Sequence, residues 1–279
     1  MKTIHTFYDK KQKKEKISMV TCYDYSTARL LSTTDLDAVL VGDSLGMVFQ
    51  GNNDTLSVTV DDMIYHTKAV RKGLPDGFIV TDMPFLSYHV SPEDAVRNGG
   101  RIIKESGASA LKLEGGKEII QSVKALIAAK IPVMGHLGLT PQSFNMFGGF
   151  KVQGKNLAAA RMIIEDALAL QEAGVFSITI ECVPVKLAEI ITQLSDIAII
   201  GIGCGNCTDG QVLVINDALG TCIDMKPKFV KQFLNSGVES IKAIETYISE
   251  VKTSTFPDSS HTFSIDEDII IQLKKEFKL

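Results

Sequence analysis

The chain has few cysteines, no long apolar run and no extended basic stripe, and each shortage removes a class of protein. Its five cysteines are too few and too scattered over 279 residues for a disulfide framework, and they fit a reducing, cytoplasmic location. No segment approaches the roughly 20 consecutive apolar residues of a membrane span. The opening Met1-Lys2-Thr3-Ile4-His5-Thr6-Phe7 lacks the apolar stretch of a signal peptide, so neither membrane insertion nor export is expected. Lys and Arg total 29 against 33 Asp and Glu, a formal net charge of −4, and nucleic acid is not an expected partner. The basic exception, Lys10-Lys11-Gln12-Lys13-Lys14-Glu15-Lys16, reads as a solvated helix end. With no Pro-, Ser- or Gln-rich linker and no repeat, the expectation is a single domain over residues 1–279, with a helical segment over about 1–16 and a tail over about 253–279.

What the chain does contain is an ordinary globular balance, 45% hydrophobic and 22% charged, with a regular alternation of short and long apolar patterns. Apolar runs rich in Val and Ile fall at 17–22, 38–42, 78–81, 110–113, 132–135, 177–180, 197–202 and 211–215, and they read as buried parallel strands. Helix-spaced segments lie between them, among them 60–72, 92–106, 117–130 and 156–173. Ser91-Pro92 is a good helix start, because serine caps and proline suits the first turn. Eight strand-plus-helix units favour a closed (β/α)8 TIM barrel over an open doubly wound sheet. The tail carries a loop at Pro257-Asp258-Ser259-Ser260 and a short amphipathic helix over 266–279.

The residues that follow the apolar runs carry the chemistry: Tyr23-Asp24, Asp43-Ser44, Asp82, Glu114, His136, Glu181 and the Gly201-Ile202-Gly203-Cys204-Gly205 turn. Any single acid there could be a loop or helix cap. In a barrel, however, C-terminal strand ends converge on one face, so these groups would meet. Carboxylates packed together repel unless a cation or a shared proton intervenes, which implies a divalent metal. Oxygen ligands dominate and no zinc spacing is present, which favours magnesium. Magnesium with few protein ligands suits polarising a 2-oxo acid towards its enolate. Lys112 lies two residues before Glu114 and so points to the same side of its strand; it reads either as a structural ion pair or as a cation for substrate. Cys204-Gly205-Asn206-Cys207 has C-x-x-C spacing but no second pair, and it is read as a glycine-rich loop in which amides can face an anion rather than as a redox or zinc site.

In order along the chain, Val41-Gly42-Asp43-Ser44-Leu45-Gly46-Met47, Asp82-Met83-Pro84-Phe85, Lys112-Leu113-Glu114-Gly115-Gly116, Gly135-His136-Leu137-Gly138-Leu139-Thr140-Pro141-Gln142, Phe147-Gly148-Gly149-Phe150-Lys151-Val152-Gln153-Gly154, Glu181-Cys182-Val183-Pro184 and Thr208-Asp209-Gly210-Gln211 resemble the ketopantoate hydroxymethyltransferase family. The resemblance spans roughly residues 15–262. It implies a (β/α)8 barrel, assembled as a homodecamer, that transfers a hydroxymethyl group from 5,10-methylenetetrahydrofolate to 3-methyl-2-oxobutanoate, giving 2-dehydropantoate for pantothenate and coenzyme A. By the same resemblance, Asp43 and Asp82 match magnesium ligands and Glu114 an acid that supports the metal through water. Ser44, Lys112 and His136 match substrate-site positions, with Asp43 and Asp82 beside them, and Glu181 matches the catalytic acid/base. The chain departs from the family pattern at Asn52-Asn53, Ser57 and Cys204, and its tail beyond His261 is long. Two other readings are a lyase of the phosphoenolpyruvate mutase and isocitrate lyase type, and a metabolite-binding barrel without turnover.

Overall fold

Alternation along the apolar runs sets the architecture, because successive side chains of a strand point to opposite faces. The computed structural model describes residues 2–149, 151–222 and 227–279. Eight parallel strands close into a barrel in sequential order: β1 (Ile17–Thr21), β2 (Ala38–Val41), β3 (Ile79–Asp82), β4 (Ala110–Glu114), β5 (Val133–Gly138), β6 (Ser177–Glu181), β7 (Ala198–Ile202) and β8 (Gly210–Leu213). β8 pairs with β1, which decides against the open sheet. The expected helices are present as Val60–Gly73, Pro92–Ser106 and Leu157–Ala173, capped by Thr59, Ser91 and Asn156. The fourth opens instead as a 3-10 turn, Lys117–Ile119, before Ile120–Ala128, with the Lys117 amide donating to Asp166 Oδ1 at 3.2 Å.

The chain forms two compact units, Met1–Phe233 and Leu234–Leu279. The second holds the helices Ser236–Lys252 and Glu267–Phe277, neither with a buried residue. The first of these was not anticipated from the sequence. Phe150, inside one of the quoted motifs, lies outside the described residues.

Within the barrel, one set of alternate residues forms an apolar layer: Ile17, Met19, Leu40, Val80, Ala110, Met134, Ala198, Ile200 and Val212 pack together with Phe7 and Phe78. Two residues further along the same faces the character changes, with Asp82 after Val80, Lys112 after Ala110 and His136 after Met134. Strand register then sets the upper layer, pairing Asp82 with Lys112, Glu114 with His136 and Gly138 with Glu181. Gly138 is required here: its φ is +92°, and a Cβ would collide with the Glu181 carbonyl oxygen.

The helix Ile4–Lys13 closes the lower end. Phe7 is 1% exposed and meets Phe176 edge-on at 5.2 Å. The basic run is therefore more than a solvated helix end: Lys10 donates to Asp37 at 2.7 Å, Lys11 to Asp209 at 2.8 Å, and Lys16 to the Thr208 carbonyl. Asp37 also accepts from the Ser18 amide at 2.9 Å. Burial alone would raise the Asp37 carboxyl, but Lys10 and Ser18 outweigh it and hold it below the usual carboxylate range. A depressed native pKa stabilises the fold above the unfolded value, near 3.9, and that contribution is lost as pH falls through the native value. Asp37→Asn should therefore cost about 1–3 kcal/mol at neutral pH and flatten the loss of urea stability below about pH 4; an unchanged acid limb would show that Asp37 does not tie the helix to the barrel.

Gly138→Ala should lower stability by about 1–3 kcal/mol through forced left-handed backbone, read as a fall in the thermal midpoint.

Candidate active site

The upper strand ends surround a cavity of about 450 Å³. Asp43, Ser44, Asp82, Lys112, Glu114, His136 and Glu181 all line it, so the residues singled out in sequence converge. Asp43, Asp82, Lys112, Glu114 and His136 are each 3% exposed, and the Glu181 side chain is 15% exposed. Asp24, also an acid after a strand, does not join them. It caps the helix Tyr25–Leu31, accepting from the Thr27 amide at 2.9 Å and the Thr27 hydroxyl at 2.6 Å.

Lys112 sits among three carboxylates. Its Nζ is 2.8 Å from Asp82 Oδ1 and 3.9 Å from Glu114 Oε1. Burial disfavours the ammonium, but Asp82, Glu114 and Asp43 outweigh it and raise its pKa, so it stays charged. Lys112 meets Asp82 Oδ1 off the ideal hydrogen-bond direction, and no other side chain or amide among the described residues bonds that buried oxygen. Asp82 Oδ2 accepts from the Asp43 amide at 3.1 Å. Burial and the charges of Asp82 and Glu114 push the Asp43 carboxyl well above its usual range, and burial likewise raises Asp82 despite Lys112.

His136 lies between two acids. Nδ1 is 3.2 Å from Glu114 Oε1, and Nε2 is 3.2 Å from Glu181 Oε2 but off the hydrogen-bond direction. Nδ1 is also 3.2 Å from Lys112 Nζ; two donors cannot share a bond, so a protonated ring gives its Nδ1 proton to Glu114. Burial and Lys112 lower the imidazolium pKa, yet Glu114 and Glu181 prevail and it rises to about 9. Burial would raise Glu114, but His136, Lys112 and the Gln142 amide hold it below its usual range.

Two participants, Gln142 and Tyr88, carried no individual signal in the sequence, and a third, Tyr23, stood there beside Asp24 after the first strand. The Tyr23 hydroxyl bonds Ser44 Oγ at 2.8 Å, Gln142 Nε2 donates to Asp43 Oδ2 at 2.8 Å, and the Tyr88 hydroxyl donates to Gln142 Oε1 at 2.7 Å. Two of the family departures touch each other, with Asn52 Nδ2 donating to Ser57 Oγ at 2.9 Å across the loop. Cys204 is buried against the Ile180 carbonyl, and Cys22, Cys182, Cys204 and Cys207 are in no disulfide among the described residues.

The residues present fit a divalent cation in one respect: a buried carboxylate oxygen that only Lys112 approaches among the described residues, off the hydrogen-bond direction, next to a second acid that burial and like charge make costly to ionise. Among the described residues no three His, Cys, Asp or Glu side chains form a ready cage. Such a site would resemble magnesium binding through one or two carboxylates, with the remaining positions left to water and substrate. Among the described residues no helix is long and apolar enough to cross a membrane.

The family description ketopantoate hydroxymethyltransferase matches residues 1–259. A 3-methyl-2-oxobutanoate hydroxymethyltransferase of Clostridium botulinum (strain Alaska E43 / Type E3) is 57% identical over 265 residues, 95% of this chain and 96% of that one. The same-named protein of Clostridioides difficile (strain 630) is 54% identical over 271 residues, covering 97% and 98%. Among solved structures, a phosphonopyruvate hydrolase in complex with oxalate and Mg++ superposes with a TM-score of 0.62 at 9% identity, covering 100% of this chain and 97% of that one. A 2,3-dimethylmalate lyase superposes with a TM-score of 0.59 at 13% identity, covering 99% of each. At such identities these two share the fold alone. Sequence motifs, barrel and relatives agree, and the chain is a transferase that belongs to the ketopantoate hydroxymethyltransferase family.

Proposed function

We propose that this chain transfers a hydroxymethyl group from 5,10-methylenetetrahydrofolate to 3-methyl-2-oxobutanoate, forming 2-dehydropantoate, with Asp43 and Asp82 holding magnesium and Glu114 supporting it through water. The observation that carries the reading is the convergence of three buried carboxylates around one ammonium, more negative charge than that cation balances, in a member of this family. Magnesium held there would act as a Lewis acid on the oxo acid's keto oxygen.

The other tasks fall to side chains of the chain. Glu181 takes the proton from carbon three of the oxo acid, because it stands at the cavity wall, more open than the acids around Lys112. His136, 3.2 Å away, steadies that carboxylate. Lys112 offers a buried positive charge to the oxygen on which the enolate charge develops. Ser44, fixed by Tyr23, contributes a hydroxyl for the substrate carboxylate. Leu139, Val152, Val214 and Phe229 give the outer cavity an apolar wall suited to a flat one-carbon donor. We place the reaction in the cytoplasm, where free thiols stay reduced, and we infer a homo-oligomer, decameric by family resemblance. Light scattering should give a mass well above the 30.3 kDa chain; a monomer at working concentration would remove that inference.

With magnesium and deuterium oxide but no folate, the protein should exchange the carbon-three proton of 3-methyl-2-oxobutanoate. It should form 2-dehydropantoate only when methylenetetrahydrofolate is added, and product without the folate would overturn the transfer. Glu181→Gln should cut exchange by about 10²-fold or more while sparing binding of the oxo acid. Exchange at the parental rate in that variant would assign the base elsewhere. Asp82→Ala should abolish magnesium-dependent binding of the oxo acid, and undiminished binding would dismiss the proposed metal site.

A further inference from the structure

Gln142 joins several polar groups at the upper end of the barrel. It lies in the short turn Pro141–Ser143 that follows β5, 6% exposed. One side-chain N–H donates to Asp43 Oδ2 at 2.8 Å and the other to the Met83 carbonyl at 2.9 Å. Its backbone N–H donates to Glu114 Oε2 at 2.9 Å, and its Oε1 accepts from the Tyr88 hydroxyl at 2.7 Å. A carboxylate and a carbonyl only accept, and so they admit one orientation of the amide, with nitrogen towards Asp43 and oxygen towards Tyr88. Both side-chain protons, the side-chain oxygen and the backbone proton are thus committed.

The turn is itself anchored. The Leu139 amide donates to the Glu181 carbonyl at 2.8 Å, and Thr140 Oγ1 donates to Ser143 Oγ at 2.9 Å. Tyr88 is fixed in addition, accepting from the Glu114 amide at 3.1 Å while lying 3.0 Å from the Glu114 carbonyl. Among the described residues, Gln142 Nε2 is the one hydrogen-bond donor on the Asp43 carboxylate. One loop therefore binds the ends of β2, β3, β4 and β6. Engaging Oδ2 of Asp43 and Oε2 of Glu114 leaves the second oxygen of each acid to face other groups, as Glu114 Oε1 faces His136.

From this geometry we propose that Gln142 is a positioning residue: its side chain and backbone orient Asp43 and Glu114 together so that the pair can serve a divalent cation. The proposal rests on the metal reading given above. It predicts that orientation is lost when the amide is removed but the volume kept, because Asp43 is then buried without a donor and free to turn.

The test is Mn2+ binding by the full-length protein, followed by electron paramagnetic resonance without substrate or turnover. Gln142→Met should weaken Mn2+ binding by about tenfold or more, with parental far-ultraviolet circular dichroism. It should also raise the magnesium concentration needed for carbon-three exchange, while turnover at saturating magnesium recovers to within about fivefold of the parent. A purely structural role would lower stability and turnover and leave Mn2+ affinity unmoved. A folded Gln142→Met that binds Mn2+ within about twofold of the parent overturns the proposal. If that variant does not fold, Gln142→Asn decides, since it keeps an amide but withdraws its nitrogen from Asp43 Oδ2. Weaker Mn2+ binding there supports the proposal and unchanged binding overturns it. A parent that binds no Mn2+ fails at the earlier step, overturning the metal reading and this inference with it.

Discussion

Three carboxylates gathered in the dry end of a barrel repel one another, and the arrangement of the upper strand ends follows from that repulsion. Asp43, Asp82 and Glu114 are buried to the same degree as the single lysine among them. Lys112 answers part of the charge, His136 answers Glu114, and Gln142 supplies neutral donors to Asp43 and Glu114. The balance still leaves Asp43 and Asp82 reluctant to ionise, because burial dominates both. Under the proposed metal reading, a cation would relieve that repulsion. That is the physical content of assigning metal chemistry to it.

The layer beneath makes that repulsion sustainable. Alternate residues of the same strands fill the lower barrel with Ile, Met, Val and Ala, and Phe7 seals the end. Water is excluded from below, so charges above act on one another at low effective dielectric. Glu181 stands apart at the wall of the cavity, its carboxylate 3.2 Å from His136. A division follows from position alone: acids packed around the ammonium are suited to holding charge, and the more open acid is suited to moving a proton.

Much of this was legible in the chain. Strands were legible where a short apolar run meets a glycine or an acid, as Ala38–Val41 before Gly42 and Ser177–Glu181 ending on its own acid. The two-residue spacing of Lys112 and Glu114 placed both inside the barrel, where they lie. Asp24 and Asp43 show the limit, since both are acids after strands. Only the fold reveals that Thr27 turns the first into a helix cap while the second meets Asp82 and Gln142. Gln142 and Tyr88 could not be found by periodicity, because their role comes from loop hydrogen bonds between distant strands. The lysine run misled for a related reason: its charge was visible, but Asp37 and Asp209, its partners, are 27 and 198 residues away from the lysines they bind. Asn52 and Ser57 looked like separate departures from the family and turn out to be bonded partners.

The central claim is a division of labour among acids, two on the metal, one behind a water and one at the substrate carbon. It is tested most directly by the crystal structure of the protein with magnesium and 3-methyl-2-oxobutanoate. The account predicts magnesium–oxygen distances of about 2.1 Å from Asp43 and Asp82, a water between magnesium and Glu114, and Glu181 facing carbon three. Direct ligation by Glu114, or magnesium seated at Glu181, would contradict it.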